Sequence, residues 1–158
     1  MFEIISQDNS SQLINDAVRA IIVDDSQLFL MHLKASNTYV LPGGSKEKYE
    51  TLDEALKREV LEETGYTLKS YKKCFVIHEM IGKTNRVHHI YQCEIGYKQQ
   101  ATTLTQEEAA LKMECINVPL KEGINLLANN EGTHHLSEAI QLRELIALMH
   151  GITQLKKG

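Results

Sequence analysis

Glu59, Glu62 and Glu63 stand at i, i+3 and i+4, a spacing that places their carboxylates together on one helix face. The run that holds them, Gly44 to Tyr66, reads GSKEKYETLDEALKREVLEETGY. Within it Leu52, Ala55 and Leu56 mark a buried stripe, and continuing that stripe leads to positions 59, 62 and 63. A face that begins as core and turns acidic needs compensation, because like charges held close in partly dry surroundings resist joint ionisation. A divalent cation is the simplest compensator. Hard oxygen ligands with room for water suit Mg²⁺, or Mn²⁺ in its place. The bland alternative is a solvated acidic face, which the surface preference of Glu would allow. The apolar stripe running straight into the triplet argues against it.

The elements that must position these groups are also legible. Thr51 with Glu54 forms a capping-box signature and Gly65 is a C-terminal stop, so the spacing predicts a helix from about Leu52 to Thr64. Ala17 to Val23 and Leu28 to Leu33 read as strands joined across Asp24-Asp25-Ser26. Pro42-Gly43-Gly44 punctuates the approach to the helix, with glycines that let main chain come close to a ligand. Lys69 to Met80 and Val87 to Tyr97 are expected to pair antiparallel around Gly82 to Asn85. Gln99 to Glu108 reads as a polar loop, and Leu111 to Val118 as a further strand ending at Pro119. Helices are expected at Leu120 to Ala128 and at Ser137 to Met149, the latter with apolar residues at 140, 142, 145, 146, 148 and 149 that would cover a sheet face.

The run from Gly44 resembles the Nudix box, G-x5-E-x7-R-E-U-x-E-E-x-G-U with U a bulky apolar residue. Gly44, Glu50, Arg58, Glu59, Val60, Glu62, Glu63 and Gly65 fit it, and Tyr66 stands at the last U. A chance match of the fixed residues is on the order of one in a billion per start. The preceding AVRAIIVDDSQLFLMHLKASNTYVLPGG is similar to the family's opening hairpin, with Tyr39 where many members carry Trp. The resemblance implies an α/β fold, a Nudix-like α-β-α sandwich with a mixed β-sheet, as a single domain over residues 1–158.

The resemblance also implies roles. Glu59, Glu62 and Glu63 ligate the metal with the carbonyl of Gly44, and Arg58 pairs with Glu50 to fix the loop to its helix. The reaction implied is metal-assisted hydrolysis of a pyrophosphate linkage in a nucleoside diphosphate joined to another moiety. The general base is a box glutamate or one from a later loop, where Glu107 and Glu108 are the candidates. Arg19, on the first strand, holds a position from which some relatives contact substrate phosphate, and Tyr39 is the second substrate-binding candidate. The paired histidines His88-His89 and His134-His135 do not read as one metal site, because neighbours on a strand face opposite sides. Asn117 falls where many relatives carry Trp, and the chain has no Trp.

Composition narrows the partners. A net charge of −4 gives no basic face for duplex nucleic acid, and argues against an RNA-processing role. Cys74, Cys93 and Cys115 form no CxxC pair, so neither a disulfide framework nor a zinc ribbon is expected. No basic-then-apolar leader opens the sequence and no stretch approaches a membrane span, so a cytoplasmic setting is expected. The expected partner is a small nucleotide, with no membrane and a homodimer left open. The competing function is a nucleotide sensor that binds without cleaving, but sensors commonly lose box glutamates and this chain keeps them. Signatures of ADP-ribose-specific, NADH-type and coenzyme-A-type relatives are not seen. A MutT-like class remains: nucleoside triphosphates, oxidised ones included, or small nucleoside-diphosphate conjugates.

Overall fold

Alternation along one central strand sets the architecture. The computed structural model describes residues 2–5, 13–99, 109 and 112–155. Strand β2 (Leu13–Asp24) sends Val18, Ala20 and Ile22 to one face, where they pack on Ala55, Leu56 and Val60 of helix α1 (Leu52–Thr64). Its Ile21 points the other way, into a second core with Leu127 of α2 (Leu120–Asn129) and Ala147 and Leu148 of α3 (Ser137–Leu155). Helices therefore cover both faces of one sheet, an α/β sandwich.

The sheet is mixed. Its order is β1-β6-β7-β2-β3-β4, with β1 at Phe2–Ile5, β3 at Gln27–Leu33, β4 at Thr38–Val40, β6 at Tyr66–Ile81 and β7 at Thr84–Lys98. Short β5 (Gly43–Ser45) pairs beside β2, and β8 (Met113–Pro119) beside β3. β2 runs parallel to β7 and β1 parallel to β6, whereas β6 and β7 form an antiparallel hairpin. The turn between β2 and β3 places Asp25 and Ser26 at φ 49° and 63°, the left-handed pair that matches strand twist in a two-residue hairpin.

Three departures from the sequence reading have physical causes. β2 begins at Leu13 rather than Ala17, because its first residues pair with β7 while leaving Ile14 and Asn15 exposed, so no apolar alternation announces them. β1 was read as part of a leader. Helix α3 continues past Met149 through Gly151, where a Cβ would lie 2.2 Å from Ile21 Cδ1: the glycine is a point of close helix-to-sheet approach, not a stop.

The orientation of α3 also differs. Leu142 and Met149 are exposed, whereas Gln141, Arg143 and Glu144 are buried. The reason is the unpaired edge of β4 and the chain beyond it, whose polar groups need partners away from water. Ser137 Oγ lies 2.8 Å from Thr38 Oγ1, Gln141 Oε1 accepts from the Tyr39 amide at 3.0 Å, and Glu144 Oε1 accepts from the Leu41 amide at 3.0 Å.

These side chains belong to a larger buried charge cluster. Arg143 Nη1 donates to both Glu79 oxygens at 2.9 and 3.2 Å, its Nε donates to Glu144 Oε2 at 3.4 Å, and Arg19 Nε lies 3.6 Å from Glu144 Oε1. His88 Nε2 lies 3.0 Å from Glu79 Oε1. Burial drives the His88 imidazole down to about 4, against the pull of Glu79, with Arg143 and Arg19 adding to the fall. Burial pushes Glu79 up, but His88 and Arg143 outweigh it and hold the carboxyl at about 2.

The sign of the pH effect follows. Between pH 6.5 and 4 the unfolded chain takes a proton on His88 that the native state refuses, and between 4.5 and 2 the same holds for Glu79. Stability should therefore be fully present above pH 6.5 and fall as pH drops, with His88 contributing on the order of 3 kcal/mol across its window. Thermal melts from pH 7.5 to 4 should show the fall, and His88→Gln should flatten it. An equal slope in the variant would refute the assignment to His88.

Candidate active site

Helix α1 is built as its caps dictate. Thr51 Oγ1 accepts from the Glu54 amide at 3.1 Å, Glu54 Oε1 accepts from the Thr51 amide at 3.2 Å, and Gly65 at φ 82° donates to the Leu61 carbonyl at 2.9 Å. With the helix pinned at both ends, its inner face is fixed. Ala55, Leu56, Glu59, Val60, Glu63 and Thr64 are buried along it. Glu59 is 6% exposed and Glu63 0%, while Glu62 lies at the margin.

Arg58 supplies a cation to this acidic end. Its Nε donates to Glu50 Oε2 at 3.0 Å and its Nη2 to Glu50 Oε1 at 2.6 Å, a two-pronged grip across eight residues. Nη1 donates to Glu59 Oε1 at 3.0 Å and Glu62 Oε2 at 3.3 Å, and Nη2 also reaches the Ser45 carbonyl at 3.2 Å. The Arg58 hydrogen bond holds the Glu50 carboxyl below its ordinary range despite some burial, with the Glu47 amide assisting. The same pairing holds the guanidinium firmly charged.

The glycines bring main chain to the carboxylates. Gly43 donates its amide to Glu63 Oε1 at 2.9 Å, and it sits at φ 149° where a Cβ would fall 2.0 Å from the Val18 carbonyl oxygen. At Gly44 a Cβ would meet Glu59 Oε1 at 2.6 Å, so the Glu59 carboxylate lies directly over this residue. The structure thus brings Glu50, Glu59 and Glu62 to Arg58 and lays Glu59 over Gly44, with Glu63 on the neighbouring Gly43 amide. It does not draw the three glutamates into one cluster. Among the described residues no three His, Cys, Asp or Glu side chains are gathered as a metal cage, since Glu63 turns to Gly43 while Glu59 and Glu62 turn to Arg58.

The pattern of box residues and fold decides the family. The chain belongs to the Nudix family. A NUDIX domain model matches residues 14–135, and membership makes the protein a hydrolase of phosphoanhydride bonds. Nudix hydrolases generally use divalent cations. No curated protein sequence matches the chain. Among solved structures it is similar to a NUDIX hydrolase from Nitrosomonas europaea, at 16% identity over 89% of each chain and a TM-score of 0.63. An ADP compounds hydrolase shares 19% identity over 90% of this chain and 74% of that one, TM-score 0.67. A MutT protein from Bacillus halodurans shares 24% over 71% and 72%, TM-score 0.56. At such identities the likeness is one of fold.

The other candidates lie apart. Arg19 is 6% exposed, on the sheet face covered by α3, with Nη1 donating to the Leu41 carbonyl at 3.4 Å besides its contact with Glu144. Tyr39 stacks on His32 with centroids 4.3 Å apart and planes at 7°. Glu107 and Glu108 lie outside the described residues. Adjacent His88 and His89 turn to opposite faces, to Glu79 and to Asp16. The buried cluster of Glu79, His88, Arg143 and Glu144, with half-buried Arg86 beside it, was not evident from sequence. Its one signal was the charged residues interrupting apolar runs on β6, β7 and α3.

The two glycines should fail differently. Gly43→Ala meets backbone, which cannot yield, so a loss of more than about 2 kcal/mol is expected in chemical denaturation. Gly44→Ala meets only the end of a side chain, so the fold should persist while Glu59 is displaced and turnover drops by about tenfold or more. Equal stability loss in both variants would show that the Glu59 contact is not what distinguishes them.

Proposed function

We infer that this protein hydrolyses a pyrophosphate linkage in a nucleoside diphosphate joined to another moiety, with Mg²⁺ or Mn²⁺ as cofactor. The observation that carries the reading is the acidic end of α1 laid over Gly44, with Glu59 against the glycine and Glu63 on the preceding amide. The donors fit a hard cation: they are oxygens only, and one cationic nitrogen of Arg58 already reaches both Glu59 and Glu62. Glu59, Glu62, Glu63 and the Gly44 carbonyl would hold the metal. When bound, such a cation neutralises phosphate oxygens and acidifies the attacking water.

The chain's own residues do the rest. Arg58 and Glu50 hold the loop from Ser45 to Glu50 against the helix, which keeps Gly44 and the carboxylates in register. A carboxylate takes the proton from water, either in the box or at Glu107 or Glu108. Substrates to try first are nucleoside triphosphates, oxidised forms included, and small nucleoside-diphosphate conjugates, with ADP-linked compounds among them.

Glu62→Gln and Glu63→Gln conserve shape while removing charge, so each should cut turnover by about a hundredfold or more with the fold retained. The wild-type protein should melt at higher temperature in millimolar Mg²⁺ or Mn²⁺, a tenfold excess over Kd adding about 1.4 kcal/mol, and the gain should shrink in both variants. Activity that survives chelation, with melting indifferent to both cations, would defeat the metal reading. For the base, Glu107→Gln and Glu108→Gln are tested separately. Full activity in both would leave the proton transfer to a box glutamate.

A further inference from the structure

The face of the sheet opposite α1 carries one more positive charge than it has partners for. Arg19, half-buried Arg86 and Arg143 share it with Glu79 and Glu144, and His88 is held neutral there. Arg143 and Arg19 face the two carboxylates. Among the described residues no carboxylate lies within ion-pair distance of Arg86, and its buried Nε has no hydrogen-bond partner. Burial, with repulsion from Arg19 and Arg143, draws the Arg86 guanidinium down to about 10, so it stays charged at neutral pH but at a cost that a bound anion would relieve.

This charge borders open space. A cavity of about 250 Å³ is lined by the charged Glu79, Arg86 and Arg143, by Thr84 and by the apolar side chains of Ile81, Leu136 and Ile140. Arg86 itself also touches the box. Arg86 Nη2 donates to Ser45 Oγ at 2.9 Å, and Ser45 follows Gly44, over which Glu59 lies. The larger hollow at the α2–α3 connection, about 490 Å³, is lined by Asn129, Asn130 and Glu138 among others, with no lysine or arginine among its described lining residues. It offers an anion little.

We propose that the cavity beside Arg86 is a subsite for an oxyanion on the far end of the substrate, a terminal phosphate or a carboxylate, beyond the linkage that is cleaved at the box. The inference rests on the hydrolase reading for what occupies the box, but its binding test does not. A planar guanidinium whose Nε has no partner, in a partly dry pocket, is suited to such a group, and the apolar lining strengthens the attraction by excluding water. Substrates whose distal moiety is anionic would thereby be favoured over those with a neutral sugar.

Inorganic phosphate is the first probe, titrated by calorimetry into the metal-free protein, whose box carboxylates repel it. The wild type should bind it and Arg86→Gln should weaken binding by about tenfold or more, one lost charge-assisted contact. Ser45→Ala removes only the contact to Arg86 and should keep the affinity. Equal phosphate affinity in Arg86→Gln, or the same loss in Ser45→Ala, would overturn the subsite. The second arm is kinetic: a nucleoside triphosphate for phosphate, a nucleoside-diphosphate uronate for carboxylate and the matching hexose as neutral comparator. Arg86→Gln should raise KM for the anionic substrate that the site serves by about tenfold and for the hexose far less, with kcat moving little. Should phosphate binding depend on Arg86 while none of these substrates is turned over, the proposed substrate class falls and the subsite stands.

Discussion

Leu41, Pro42 and Gly43 are buried, so their amides and carbonyls must be satisfied without water, and nearly every partner is a charged side chain. Glu144 takes the Leu41 amide and Arg19 gives to the Leu41 carbonyl. The Ala20 amide gives to the Pro42 carbonyl at 2.8 Å, and Glu63 takes the Gly43 amide. At Ser45, Arg58 holds the carbonyl and Arg86 the hydroxyl. The segment entering the box is thus gripped from α3 on one side and α1 on the other. Because each grip other than the Ala20–Pro42 main-chain bond is a charge-assisted hydrogen bond, its geometry is stiff and its loss expensive.

That constraint explains why each face carries buried carboxylates and why each has its own arginine. A carboxylate that accepts a main-chain amide still needs a counter-charge once it leaves water. Arg58 serves Glu50, Glu59 and Glu62 on one face, and Arg143 serves Glu79 and Glu144 on the other. The arrangement trades hydrophobic packing for position. Apolar replacements would pack as well, but they would leave the amides of Leu41 and Gly43 without acceptors.

The same constraint decides what could be read from the sequence. The box helix and the β6–β7 hairpin were legible because their signals are local: a capping pair, a C-terminal glycine, a turn between strand-forming runs. The box was legible as residue types at a spacing, and the structure meets it in part: Arg58 reaches Glu50, Glu59 and Glu62, and Glu59 lies over Gly44, while Glu63 turns to Gly43. The inner face of α3 was not. Apolar periodicity favours Leu142 and Met149, yet the helix turns Gln141 and Glu144 inward because β4 and Leu41 lack partners, and no local pattern on α3 announces a need that arises a hundred residues earlier. The unshared charge of Arg86 was hidden for the same reason, since its neighbours come from β2, β6 and α3.

Division of labour between the two faces follows from β2 itself. Its even residues support α1 and hence the box carboxylates, while its odd residues Arg19 and Ile21 support α3 and the charge cluster. Side chains on one face can change without moving those on the other, because a strand's alternation keeps the two sets apart. The carboxylates on the α1 face and the charge cluster on the α3 face can then vary separately. They meet along the segment from Leu41 to Ser45, where the Ser45 carbonyl answers to Arg58 and its hydroxyl to Arg86, so an anion that draws Arg86 away would be felt at the entrance to the box.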